Sequence, residues 1–378
     1  MSTAQYLPYY PKYTYLDDCL SKCGSNKLYI YVDQKNAYSS IYSEWAVKEM
    51  LENSKMSRYI DVSLFAAFFE FINFHKSYAE KRGVELQICF FSERGKSDYH
   101  RNLHSTYKDR RPITDMFGLN ESDANLYHKI LNRNWDLIYK VGNKIPNCSV
   151  IRIDYLEADF IPHYIMEHII PDTDDWCHII YSNDKDMYQG LTKPNRFQFI
   201  KRWKTVKMLD QTNALEYLLK TDKPLGVGAE FIPLVLAIMG DTADGFAGIK
   251  GIAEKTIVKN MPDLKEYFYP FNGIYERLIK KEPLFDSEYR TNNKVIQKLI
   301  DQKDVIERNI RLASYDMLID FLHNYPNTSL RKIEKTIRDN VLQVNKRITN
   351  GQVLLDSFDK TGISLPISEQ IIYRIFKT

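Results

Sequence analysis

Short apolar runs recur along the chain, and each is followed by acid. Leu28 to Val32 is apolar, aromatic and β-branched and closes on Asp33, while Leu86 to Phe91 is followed by Ser92 and Glu93. Ile151 to Ile153 leads to Glu157, Ala158 and Asp159, and Cys177 to Tyr181 leads to Asp184, Lys185 and Asp186. Runs of this length and composition read as buried strands. Between them, residues 60–80 and 115–145 space their apolar positions as helices do, the second with a break at Gly118 and Asn120. Gln34-Lys35-Asn36 opens a helix through about Met50, residues 195–208 read as a β-hairpin, and residues 211–220 and 231–239 read as helices. Strands alternating with helices predict an α/β fold around a central, mostly parallel sheet, with Cys177 to Tyr181 as a central strand.

The ends are less regular. Residues 1–27 are rich in tyrosine and proline without clear periodicity and read as an N-terminal extension. The core is expected to end near Leu312. Beyond it, Ile333, Ile337, Val341, Val344 and Ile348 trace one face of a helix whose other face carries Arg331, Lys332, Lys335, Arg338, Lys346 and Arg347, which predicts packing on the body with a basic face exposed. The expected organisation is an extension (1–27), an α/β core (28–210) that includes a helical arch near 94–145, a helical subdomain (211–312) and a C-terminal helical extension (313–378).

Composition narrows the class. Of 378 residues, 44% are hydrophobic and 27% charged, with no apolar run near the ~20 residues of a membrane span. A soluble protein is expected. The N-terminus lacks a basic segment followed by an apolar one, so no secretory signal is expected. Five cysteines form neither an even disulfide ladder nor a paired zinc motif, which suits a reducing cytoplasm. The net charge of +3 conceals local bias, since residues 94–111 hold six Arg or Lys against two Asp, with Tyr99 and Tyr107 among them. Bases interleaved with aromatics can neutralise phosphates and stack on an unpaired nucleobase, although such a run also suits a solvated helix.

The acids carry the chemistry. A carboxylate at the C-terminal end of a parallel strand lies where α/β sheets place their ligand crevice, although Asp33 could equally cap a helix. Met239 to Thr256 adds Asp241 and Asp244 just upstream of the glycine-punctuated turn Gly248-Ile249-Lys250-Gly251-Ile252. Such a turn can bring backbone close to a phosphate, and acids beside it would repel that phosphate unless a cation lies between. Eight acids converge on this reading: Asp33, Glu93, Glu157, Asp159, Asp184, Asp186, Asp241 and Asp244. An all-oxygen donor set selects hard cations such as Mg²⁺ or Mn²⁺, and two such ions suit in-line displacement at a phosphodiester.

In order and spacing, YIYVDQKNAY, FFSERGKSDYHRNLHSTYKDRR, LEADF, YSNDKDMYQGL and MGDTADGFAGIKGIAEKT resemble the 5′-nuclease family, which includes flap endonucleases and bacteriophage 5′ to 3′ exonucleases. The match covers roughly residues 28–312. The resemblance implies a PIN-like core with Asp33, Glu93, Glu157 and Asp159 around one Mg²⁺ and Asp184, Asp186, Asp241 and Asp244 around a second, Mn²⁺ substituting. It implies that Tyr107, Lys108 and Arg111 stand in a helical gateway, stacking on a base and holding the phosphate. It further implies DNA contacts from Lys96 and Arg101, and a helix-hairpin-helix grip on the duplex through Gly248, Lys250, Gly251 and Lys255, with K⁺ at that turn. The implied partner is DNA with a 5′ end, a flap or a single-strand/duplex junction, or an RNA primer on DNA, met by a monomer in the cytoplasm of a bacterial host during phage replication or repair. Four positions depart from the family pattern: Gln34 and Ala253 replace glycines, Phe160 replaces an acid of many phage members, and Glu93 replaces Asp. Glu93 lengthens its arm by one methylene, which favours the larger Mn²⁺.

Two other classes fit less well. A catalytically silent relative that only binds branched DNA would not need acids at every motif. A calcium loop at Asp184-Lys185-Asp186 would need the glycine and distal glutamate of a calcium hand.

Overall fold

The computed structural model describes residues 12–34, 57–109, 120–170, 175–202, 205–268, 277–280, 282, 284, 291–325, 328–342 and 375. The expected helix from Lys35 to Met50 lies outside these residues. Helix α1 (Tyr13–Cys23) precedes β1 (Lys27–Asp33), and α2 (Ser57–Arg82) precedes β2 (Glu85–Arg94). Then follow α3 (Asp98–Leu103), α4 (Glu121–Gly142), β3 (Cys148–Asp154), α5 (Ile161–Tyr164) with a π-helical turn at Ile165–Ile169, and β4 (Trp176–Tyr181). The hairpin expected at 195–208 is β5 (Arg196–Arg202) and β6 (Thr205–Leu209).

The sheet order is β3-β2-β1-β4-β5-β6, parallel throughout except for β6, which runs antiparallel to β5. β1 therefore pairs with β2 on one side and β4 on the other, and the order reverses between β1 and β4. That reversal opens a crevice at the carboxyl ends of the strands, where Asp33 and the residues after β4 lie. Alternation along β1 explains the two layers of core. Leu28, Ile30 and Val32 join Phe68, Phe71, Phe90 and the buried side of α1 on one face. Tyr29 and Tyr31 join Phe160, Ile180 and the helices of the second half of the chain on the other.

Three expectations are corrected. Residues 13–23, read as part of an extension without clear periodicity, form a helix, because Leu16, Cys19 and Leu20 fall on one face and bury there, and Gly24 closes it in the left-handed conformation. The core does not end at Leu312. α11 (Lys303–Ala313) is followed at once by α12 (Tyr315–Asn324), capped by Ser314, and by α13 (Thr328–Leu342), whose Ile333 and Ile337 bury in the same cluster as Met317, Leu318 and Leu322. Val344 and Ile348 lie outside the described residues. Only part of the expected arch is described, and α4 is no free arm, since Trp135 and Ile138 bury against the sheet core.

Between β6 and α11 lie α6 (Ala214–Leu218), α7 (Ile232–Met239), the miniature hairpin β7 (Gly240–Asp241) and β8 (Phe246–Ala247), α8 (Glu254–Lys259), α9 (Met261–Phe268) and α10 (Lys294–Asp301). α7 is wholly apolar and packs along α11. From α11 the buried Asn309 amide donates to the carbonyls of Ala237 and Ala247, both at 2.9 Å, tying the miniature hairpin to the helix pair. No helix among the described residues is long and apolar enough to cross a membrane.

Candidate metal centre

The strand ends and the miniature hairpin bring the acids to one edge of the sheet. One carboxylate oxygen from each of Asp186, Asp241 and Asp244 lies within 4.8 Å of the others, and Asp241 and Asp244 are buried. The hairpin sets this spacing. The Asp241 carboxylate accepts from Ala243 N at 2.8 Å, which turns the chain so that Asp244 comes back beside it. Asp184 accepts from Asp186 N at 3.0 Å, just before the 3-10 turn Asp186–Gly190.

Among the described residues, no second set of three acids closes to that spacing. Three members of the expected first group face protein partners. Asp33 accepts from Ser182 Oγ at 3.0 Å, Glu93 from Ala158 N at 3.1 Å, and Glu157 from Tyr107 Oη at 3.1 Å and from Lys108 Nζ. Asp184, expected with the second group, stands outside the close triad. Asp159 is different. Its Oδ1 is buried with no hydrogen-bond partner, an orphaned acceptor that a cation would satisfy.

Electrostatics separate the acids into two kinds. Burial, reinforced by Asp184 and Asp244, pushes the Asp186 carboxyl well above the ordinary range, and burial with Glu157 and Asp184 does the same to Asp159. Asp184 is raised by burial as well. Burial would also raise Glu157, but the ammonium of Lys108, with His100 and the Tyr107 hydroxyl, outweighs it and holds Glu157 below its usual value. Carboxyls that resist ionisation together, joined by an oxygen-only donor set, fit a hard divalent cation that would relieve both strains.

Two lysines already stand among the acids. Lys108 pairs with Glu157 and lies 3.7 Å from Asp244, and Lys185 lies 2.8 Å from Asp241. Lys108 adopts the left-handed backbone (φ 54°), and its N–H donates to Asp244 O at 2.9 Å. His104 Nε2 lies 3.0 Å from Gly245 O, so residues 104–109 are fastened to the miniature hairpin. Tyr107, expected to stack on a base, is instead 2% exposed, with His100 stacked on its ring at 4.7 Å and its hydroxyl shared between Glu157 and Asp244. Arg111 lies outside the described residues. Lys96 and Arg101, both exposed, pair with Asp109 at 2.9 and 3.3 Å.

The glycine turn is corrected in part. Gly248 was expected to approach a phosphate, but a Cβ there would lie 2.1 Å from the Met239 carbonyl carbon, so its glycine is required by the fold itself. Gly251 is exposed with φ 79°, and Lys250 and Lys255 are exposed beside it. Ala253 has φ −125°, an extended conformation that needs no glycine. Phe160 is fully buried in the core, and the Glu93 carboxylate accepts from Ala158 N. Sequence reasoning did not find Asn309, Lys185 as the partner of Asp241, or the exposed Tyr155. Only the last leaves a trace, as an aromatic two residues before an acid.

The fold and this edge of acids define the class: the chain has the fold of the 5′-nucleases. Among solved structures, a bacteriophage T5 protein co-crystallised with metal ions aligns with a TM-score of 0.54 and 17% identity, over 84% of this chain and 100% of that one. The bacteriophage T5 flap endonuclease in a pseudo-enzyme–product complex with DNA and metal ions aligns with a TM-score of 0.55 and 16% identity, over 84% of this chain and 98% of that one. At these identities the likeness is one of fold. No family model matches the chain, and no curated protein does.

Proposed function

We propose that this protein is a divalent-metal-dependent 5′-nuclease that hydrolyses DNA phosphodiester bonds near a 5′ end, flap or single-strand/duplex junction. One observation carries the reading: Asp186, Asp241 and Asp244 gather at the carboxyl edge of the sheet beside the unpartnered Asp159 oxygen. Asp186, Asp241 and Asp244 would hold one Mg²⁺, with Asp159, Asp184, Glu157, Glu93 and Asp33 available to a second. Bound there, such ions supply an activated water and neutralise charge on the phosphate. The chain's own part is positioning. Lys108, once drawn off Glu157, has an ammonium free to meet the scissile phosphate, and Tyr107 keeps Glu157 and Asp244 oriented through its hydroxyl. Gly251, Lys250 and Lys255 present exposed backbone and charge for the duplex, with K⁺ as a candidate ion at that turn. RNA-primed DNA, a monomeric state and a role in phage replication belong to the same proposal.

The test is cleavage of an end-labelled flap, a nicked duplex and a blunt duplex with Mg²⁺, Mn²⁺ or EDTA. Metal-dependent release of 5′ products by the parent, abolished in Asp186→Asn with binding retained, is the expected result. The lysines that already neutralise Glu157 and Asp241 favour one second reading, a silent protein that binds branched DNA. Tight binding of the flap with no cleavage in either metal would establish that reading instead.

A further inference from the structure

A second aromatic site lies beside the acids. Asp98, Tyr99, Asn102, Tyr155, Phe321 and Lys332 line a cleft of about 350 Å³ at the carboxyl end of β3. Tyr155 stands out. It is 56% exposed and holds φ 58°, a conformation a bulky aromatic residue rarely adopts. The surroundings impose it, because Tyr155 N donates to Arg94 O at 2.8 Å and Asp98 N donates to Tyr155 O at 2.9 Å. A Cβ on Gly95 would lie 2.9 Å from the ring, so the ring rests directly on that glycine's backbone. Strain held in place by neighbours, on a side chain left open to solvent, marks a position kept for something outside the chain.

From this geometry we infer that the Tyr155 cleft stacks an unpaired nucleobase of a single-stranded tail whose junction lies at the acids. The inference rests on the proposed function and adds where the single strand goes. Its place in the chain supports it: Leu156 lines the cleft and the next residue is Glu157, while Tyr99 lines it and the next residue, His100, stacks on Tyr107. Chemistry supports it too. Asn102 and Asp98 offer a donor and an acceptor to a base edge, and α13, which supplies Lys332, exposes Arg331, Lys335 and Arg338 beyond the cleft for the phosphates. Exposed aromatics beside a basic stripe are the usual makings of a single-strand site. Tyr107, by contrast, is closed off in this structure.

The test compares, in EDTA, the anisotropy of a fluorescein-labelled blunt duplex with that of the same duplex carrying a 5′ oligothymidine tail. The parent binds the tailed probe more tightly. Tyr155→Asn, which suits the left-handed backbone but lacks the ring, lowers that preference by about tenfold, the scale of one lost base stack. Tyr155→Phe restores it. A preference unchanged in Tyr155→Asn, as for a cleft that receives a protein segment, overturns the inference, as does a parent that binds both probes equally. Binding of neither probe, in EDTA and with Ca²⁺ added alike, overturns the proposed function as well, so the two failures are distinguishable.

Discussion

Lys185 Nζ lies 2.8 Å from Asp241 Oδ2, so the dipeptide step that delivers Asp186 to the acid triad also delivers a cation to its neighbour. A divalent ion that takes Asp241 must share it with this lysine or displace it.

Lys185→Met is therefore expected to tighten Mn²⁺ binding by about tenfold, which corresponds to ~1.4 kcal/mol for a half-exposed ion pair removed from the competition. The metal-free protein loses melting temperature at the same time, because Asp241 is left without its counter-charge. Calorimetric titration with Mn²⁺ measures the first effect and thermal melts in EDTA the second. Weaker ion binding by the variant would mean that Lys185 assists the ion instead of competing with it.

The pH dependence of stability follows from the raised acids. Asp159, Asp184 and Asp186 hold protons in the folded state at pH values where the unfolded chain has lost them. Their contribution is thus most favourable below the ordinary carboxylate pKa of about 4 and is lost as pH rises through their elevated values. Glu157, depressed, acts oppositely, but its contribution is complete above that ordinary pKa and adds no slope there. A divalent ion relieves the repulsion only once the acids ionise. The gain in melting temperature on adding saturating Mg²⁺ should therefore grow from pH 5 to pH 8. A gain independent of pH would remove these three acids from the ion site.

The two turn glycines should respond differently to alanine. Gly248→Ala drives a Cβ into the Met239 backbone, which cannot yield as a side chain can, and is expected to cost about 3 kcal/mol. Gly251→Ala meets only the tip of Lys298 and strains φ alone, at about 1 kcal/mol. Urea unfolding of both variants checks the order, and equal losses would contradict the close approach at Gly248.

Arg196 is almost wholly buried, and its guanidinium is held by Glu167, by Thr192 Oγ1 at 3.0 Å and by the Gly190 carbonyl. Glu167→Ala leaves that charge uncompensated. Because Glu167 is partly open to water, the expected loss is about 2 kcal/mol, less than for a fully buried pair. Arg196→Met combined with Glu167→Met should recover part of it. A double variant less stable than the single one would show that the pair contributes more than its desolvation costs.

The sheet and its acids were legible because they are local. A run such as YIYVD announces both a buried strand and the carboxylate at its end, and four such runs in one chain imply a common edge. What joins distant segments was not legible. Nothing in Asn309 foretells its bonds to Ala237 and Ala247, and nothing in Lys185 its pairing with Asp241. α1 was missed because tyrosines and charges surround Leu16, Cys19 and Leu20, and only the finished core shows which face matters. Tyr107 read as an open platform because sequence gives residue type and spacing, whereas its closure depends on His100 stacking and on the hydroxyl reaching two acids.

The fastening of residues 104–109 to the miniature hairpin has a mechanical consequence. Lys108 N holds Asp244 O, and His104 holds Gly245 O, so residues 104–109 and one of the clustered carboxylates are mechanically joined. On the proposed function, a strand that displaced residues 104–109 would pull on Asp244, and an ion that drew Asp244 inward would pull on residues 104–109. On that reading, entry of a strand and setting of the ion site would be one motion, coupled through Asp244.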